Sequence, residues 1–285
     1  MRAARLILIG GAVVSLAILG QRPQAGKAAS GRPTLEDLRK GVGFIPTPVF
    51  STEQDKRLLA LFEGLRVADV SDGMDSVGLH GVGRVDPAVH ALWRDTRKFT
   101  HRIVGIAVTA RYVPARQPPH PGGEGFDAWV GASYRERTPE PFVPLLRPGT
   151  CLVIEEAVGL DVGSIGSNNI MGWRLRGCVG VVTNGTARDT DEIITERIPL
   201  YFRGPGRGIR PGRNEIESVN RPVVIGGVTV VPGDVVVADG DGVVVVPRPY
   251  AERVARYARR VLKSDKAARK ALYRRLGIPE DESVK

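Results

Sequence analysis

The sequence predicts one sheet-rich domain of α/β or layered β/β/α type, with helices flanking the sheet. Three observations carry this expectation. Short Val-rich runs recur between turns of Gly, Pro and Asp. Segments with helical spacing of apolar residues are interspersed along the whole chain and are not gathered at one end. With 285 residues, 42% of them hydrophobic and 25% charged, the chain can bury one sizeable core, which excludes a disordered polymer. Thirty-five glycines and 21 prolines place turns so often that long helices should be few.

Taken in order, residues 1–30 stand apart from that fold. Arg2 and Arg5 precede an apolar run from Leu6 to Gly20, and Ala28-Ala29-Ser30 offers the small residues that a signal peptidase reads. The segment is expected to be a secretory signal, and the mature chain an exported, periplasmic protein. The run falls short of the roughly 20 residues of a spanning helix, so an uncleaved anchor is the weaker alternative. Stable membrane insertion after cleavage is not expected. A leader (31–50) leads into the domain proper (51–278), and residues 279–285 form a tail.

Within the domain, Leu58, Leu59, Phe62 and Leu65 give the stretch from Thr52 to Val67 a helical spacing. ADVSDGMDSVGL repeats that spacing through Val70, Met74 and Val77, with Ser71 or Asp72 available as a cap. IVGIAVTARY, from Ile103 to Tyr112, reads as a strand. Residues 114–148 are rich in Pro and Gly around a short helix near Phe126 to Tyr134, an excursion on the surface. Two turn-then-strand units follow, PGT into CLVIEE and PGD into VVVAD; between them lie GSNNIMGWRLRG, the strand CVGVVT, an Asn184-Gly185 turn and a helix beginning TDEIITE. VVVVP closes the sheet before a C-terminal helix (250–277).

Charge excludes some functions. Arg2, Arg5, Arg22 and Lys27 leave with the signal, lowering the formal charge from +10 to +6. From Arg253 to Arg275 ten Lys or Arg residues face only Asp265, so much of the excess belongs to one solvated helix face. Without interleaved aromatics or a named motif, no nucleic-acid partner is expected. His80, His90, His101 and His120 lack zinc-ligand spacing. Cys151 and Cys178 each open a Val-rich run, where buried thiols are the default; an oxidising compartment leaves a bridge between them open.

The sharpest local signal is strand, NGTARD, helix. A strand ending in a Gly turn puts Arg188 and Asp189 at its carboxyl edge, where α/β folds expose polar groups to a crevice. The bland alternative is a capping box of Asp189 with Glu192 and an ordinary surface Arg188. Gly166, GCVGVV ending at Val182, Gly185 and Arg188-Asp189 together resemble the signature of the RraA-like family, which includes the 4-hydroxy-4-methyl-2-oxoglutarate aldolases. ADVSDGMDSVGL, PGTCLVIEE and GGVTVVPGDVVVADGDGVVVVP resemble three further pieces of that family in the same order, so the likeness runs from about Leu65 to Gly277.

The resemblance implies a β/β/α swivelling-domain fold and a metal-dependent lyase acting on small 2-oxo acids. It would cleave 4-hydroxy-2-oxo diacids to pyruvate, decarboxylate oxaloacetate, or do both. By the same likeness Asp189 anchors Mg2+ or Mn2+, and Arg188 pairs with the substrate carboxylate or oxo group. The amides after Gly166, at Ser167, Asn168 and Asn169, hold the carboxylate of a pyruvate unit. Asp72 and Asp265 correspond to acids that act from a neighbouring subunit of a homotrimer or dimer of trimers. Each has an ordinary alternative, a helix-start acid for Asp72 and a salt bridge for Asp265. Ser167-Asn168-Asn169 and Glu155-Glu156 depart from the family pattern, which leaves the recognised acid open. Two rival readings remain: a non-catalytic RraA-like regulator that binds a ribonuclease, and a small-acid binding protein without turnover.

Overall fold

The computed structural model describes residues 33–285, so the segment expected to be an export signal lies outside the described residues. The stretch ending at Val42 contains one short helix, α1 (Leu35–Lys40), closed by a capping box between Thr34 and Asp37. The main body runs from Gly43 to Lys285.

Its elements follow in chain order. Helices α2 (Thr52–Phe62) and α3 (Val67–Ser76) precede strands β1 (His90–Ala91) and β2 (Ile103–Pro114). Helix α4 (Phe126–Glu136), strand β3 (Thr150–Glu155), helix α5 (Ser167–Leu175), strands β4 (Cys178–Thr183) and β5 (Thr186–Ala187), and helix α6 (Thr190–Glu196) come next. Strands β6 (Leu200–Phe202), β7 (Gly204–Pro205), β8 (Asn214–Val219), β9 (Val223–Ile225), β10 (Val228–Val230), β11 (Val235–Asp239) and β12 (Gly242–Val246) then lead to the terminal helix α7 (Ala251–Leu276).

Eight strands form one mixed sheet in the order β1-β6-β4-β3-β2-β11-β12, with β8 also on β2. The β2, β3, β4 and β6 ladder is parallel, and the other pairings are antiparallel. At 12 residues, β2 is long enough to pair β11 with its first half and β8 with its second, with a register shift between Arg111 and Tyr112. The sheet curls until β1 and β12, its two ends, approach one another. The sheet-rich, helix-flanked α/β architecture is the one that the sequence predicts, and the near closure of the sheet is added by the structure.

Strand alternation explains how the core divides. Cys151, Val153, Val182, Tyr201, Val236 and Val243 point inward and pack with Val223, Ile225 and Val230 of the β9-β10 hairpin. Their neighbours point outward. On one flank Val235, Val237, Val244 and Val246 meet Phe62, Met74, Val254 and Ala258 of α2, α3 and α7. On the other, Leu152, Ile154, Val181 and Leu200 meet Ile170, Trp173 and Ile193 of α5 and α6. The sheet is apolar on both faces, which is why its strands read as unbroken Val-rich runs.

One local expectation, the cap of α3, needs amendment. Helix α3 is capped not by Ser71 or Asp72 but by Asp69, whose carboxylate accepts the Arg66 amide at 2.9 Å. The buried stripe of α7 is Ala251, Val254, Ala255, Ala258 and Leu262, all in its first half, and Leu272 is exposed. The two cysteines are free and buried, Cys151 on the inner face and Cys178 on the outer. No helix among the described residues is long and apolar enough to cross a membrane.

Candidate functional site

The site forms at the carboxyl edge of the parallel strands. After β3 the chain loops back through residues 162–166, which run beside β5: Ile165 bridges Ala187, and the Arg188 amide donates to the Ile165 carbonyl at 2.8 Å. This brings the Gly166 turn next to Arg188 and Asp189. Asp189 adopts a left-handed conformation (φ 56°, ψ 39°), uncommon for a residue with a Cβ. The twist turns its carboxylate away from its own helix. Asp189 makes no side-chain cap on α6, so the capping-box alternative is not realised. Its Oδ2 accepts instead from the Ser167 amide at 3.2 Å, across the cleft at the start of α5.

Two glycines make this convergence possible through space rather than backbone freedom. A Cβ on Gly163 would lie 2.6 Å from the Arg188 Cβ, and one on Gly166 would lie 2.8 Å from Asp189 Oδ2. Arg188 therefore lays its alkyl stem against bare backbone, with its Nε 3.9 Å from Asp189 Oδ1. That Nε is buried and has no partner among the described residues, while the two side chains are 39% and 40% exposed. A guanidinium and a carboxylate thus share one partly open cleft. The Asn168 and Asn169 amides, in the first turn of α5, point their N–H groups out of the helix as anion donors do.

The other expected residues are placed differently. The Asn169 side chain is committed, donating to Glu140 Oε1 at 2.6 Å. Asp72 is exposed on α3, and Asp265 accepts from Arg66 at 2.7 Å, realising the salt-bridge alternative. Both acids lie on the α3–α7 flank, and no hydrogen bond or ion pair joins them to Arg188 or Asp189 within the chain. Among the described residues no group of three or more His, Cys, Asp and Glu is arranged to hold a metal. The cleft offers one hard carboxylate tied to a backbone amide. That fits a magnesium-like ion, which takes one or two protein carboxylates and completes its shell with water and substrate.

Electrostatics mark two further acids. Burial raises the Glu196 carboxyl, and the charges of Glu192 and Asp189 push it the same way. Glu156, at the end of β3, is raised to about 7 by burial, against the opposing pull of the Ser164 hydroxyl, Arg210 and the Thr186 amide. Its Oε1 has no partner among the described residues. Glu156 stands out in the sequence as an acid ending an apolar strand. Glu140, Arg210 and Tyr112, which gather beneath the site loop, give no such signal because their contacts are long-range.

Comparison with known proteins bears on the family and the fold. The RraA-like family (Aldolase/RraA) matches residues 67–245, well over half the chain. Protein DlpA of Legionella pneumophila is 26% identical over 225 residues, 74% of this chain and 31% of its own. A 4-hydroxy-4-methyl-2-oxoglutarate aldolase of Thermus thermophilus is 31% identical over 104 residues, 35% of this chain and 61% of that enzyme. In both cases the chain spans less than two thirds of the relative's length. The crystal structure of Streptomyces coelicolor RraAS2, described as an unusual member of the RNase ES inhibitor RraA family, superposes with a TM-score of 0.60 at 22% identity. It covers 79% of this chain and 99% of that one, a likeness of fold. On that match over residues 67–245, the chain belongs to the RraA-like family.

Proposed function

We propose that the protein is a divalent-metal-dependent lyase of small 2-oxo acids, cleaving 4-hydroxy-2-oxo diacids to pyruvate, decarboxylating oxaloacetate, or both. One observation carries this reading: Asp189 turns from its own helix into a cleft that it shares with Arg188 and the first amides of α5. A dedicated cap would face the other way. The aldolase among the relatives supports the same class of chemistry.

Each residue has a separate part in this chemistry. Asp189 would hold the cation, Mg2+ or Mn2+. Bound there beside a 2-oxo acid, the cation would act as a Lewis acid, stabilising the negative charge that develops when the carbon–carbon bond breaks. Arg188 supplies a permanent positive charge for the substrate carboxylate or oxo group. The Asn168 and Asn169 amides orient the carboxylate at the helix start, where the backbone dipoles favour an anion. Gly163 and Gly166 keep side chains out of the space these groups need. We further propose an exported protein and a homotrimer or dimer of trimers, in which Asp72 and Asp265 complete a neighbour's site.

With magnesium or manganese, purified protein should release pyruvate from oxaloacetate or from a 4-hydroxy-2-oxo diacid, and a chelator should stop it. Asp189→Ala should abolish the release; equal rates for variant and parent would end the lyase assignment. A small-acid binding protein is the second reading, favoured by the lack, among the described residues, of a group of three or more His, Cys, Asp and Glu arranged to hold a metal. Under it, calorimetry would show a metal-dependent heat of binding for pyruvate or oxalate with no pyruvate released from any acid of the panel.

A further inference from the structure

Beneath the cleft lies a buried polar assembly that the proposed chemistry does not use. Glu140 belongs to the connection between α4 and β3, the segment that reads in sequence as a surface excursion. Its Oε1 accepts from Asn169 Nδ2 at 2.6 Å and from Arg210 Nη2 at 2.7 Å, and its Oε2 accepts from Trp173 Nε1 at 2.9 Å. Asn169 and Trp173 sit on the first two turns of α5. Arg210 also donates to the Tyr112 hydroxyl at 3.0 Å, which in turn donates to the Pro139 carbonyl at 2.7 Å. A second thread leaves the same excursion: Thr138 donates to Asn214 Oδ1 at 3.1 Å, and Asn214 donates to Ser164 Oγ at 3.0 Å. Thr138, Tyr112, Asn214, Arg210 and Ser164 are all buried.

These threads end on both sides of the Gly166 turn. Ser164 precedes it and Asn169 follows it, so two nearby residues of the excursion, Thr138 and Glu140, grip the site loop at its two ends. Arrangements of this sort hold a reacting group in place through the partners of its partners. We propose that Glu140 is a positioning residue: it fixes the first turn of α5, and with it the Ser167–Asn169 amides, in register with Asp189, so that the excursion serves as a structural arm of the carboxylate site. The inference rests on the lyase reading for its substrate but not for its geometry. Both Glu140 oxygens are engaged, Oε1 by Asn169 and Arg210 and Oε2 by Trp173, so the side chain is tied to the loop it positions.

The test compares parent, Glu140→Gln and Trp173→Phe. Glu140→Gln keeps the shape and loses the charge that Arg210 needs; Trp173→Phe removes a single donor and guards against a variant that fails to fold. Both should raise KM for the oxo acid about tenfold or more while kcat changes less, as expected when a carboxylate anchor drifts by a fraction of an ångström. Amide hydrogen exchange should quicken at residues 166–170 and stay unchanged in β3, β4 and β11. Mn2+ affinity, which reports on Asp189, should hold. Unchanged KM and unchanged exchange at 166–170 would overturn the proposal, and so would a uniform rise in exchange across the sheet, which marks general destabilisation. If the parent shows no turnover at all, the lyase reading fails alone, because the exchange comparison still decides whether Glu140 positions the loop.

Discussion

At the scale of single residues, what stands out is how little room the site loop has. Gly163→Ala would drive a methyl group into the Arg188 side chain, and nothing nearby can yield except the functional residue itself. The variant should keep its cooperative unfolding and lose activity by about 10²-fold, the scale of an ångström-sized misplacement, measurable as kcat/KM for pyruvate release. A loss of stability with activity per folded molecule intact would argue against this. Glu156 makes a different prediction. Its folded pKa, about 7, lies above the ordinary 4.5, so its stabilising contribution is fully present below about 4.5 and is lost as pH rises through about 7. The size is roughly 3 kcal/mol at most. Glutamine stays neutral throughout, so Glu156→Gln should unfold at a higher temperature than the parent at pH 8 and at a similar one near pH 5. Sequence reasoning reaches Arg188, Asp189 and the Gly166 loop because they are close in the chain and form a recognisable pattern. It cannot reach Glu140 or Arg210, 70 residues apart, whose meeting depends on the fold.

Among the elements, α3 and α7 cross closely. A Cβ on Gly73 would lie 2.6 Å from the Val254 carbonyl, a backbone atom with nowhere to go. Alanine is worth up to about 1 kcal/mol over glycine inside a helix, yet the forced separation should outweigh it. Gly73→Ala should cost about 1–3 kcal/mol overall, read from denaturant unfolding. A stabilised variant would show that the helices part freely. The strands Thr150–Glu155, Cys178–Thr183 and Val235–Asp239 and the helix Thr190–Glu196 are legible in the sequence almost to the residue, because an apolar run bounded by Gly or Pro leaves few choices. The two- and three-residue strands β1, β6 and β7 are not, since pieces so short carry no periodicity and owe their state to their neighbours. The start of α3 misleads for a related reason: Asp69 lies three residues into the helix, and Ser71 and Asp72 mimic a cap without the geometry of one.

For the molecule as a whole, the decisive matter is whether one chain makes a complete site. Asp72 and Asp265 lie on the flank opposite Arg188, so a role for either in the proposed reaction requires a second copy. Co-expressed Asp189→Ala and Asp72→Ala chains, each inactive alone, should regain part of the parent activity in mixed assemblies, because some boundaries then carry no defect. No recovery would place the whole reaction within one chain. The fold class is legible from composition and patterning, whereas the curl that brings β1 to β12 is not, since closure is decided by strand pairings far apart in the chain. The sheet has a last consequence through its two thiols. With Cys151 in the interior of the curl and Cys178 outside it, a wall of backbone separates the sulfurs, and burial holds both in the unreactive thiol form. Bridging them would mean turning one strand inside out. The folded chain accordingly draws no stability from a bridge between them, in a reducing or an oxidising compartment alike.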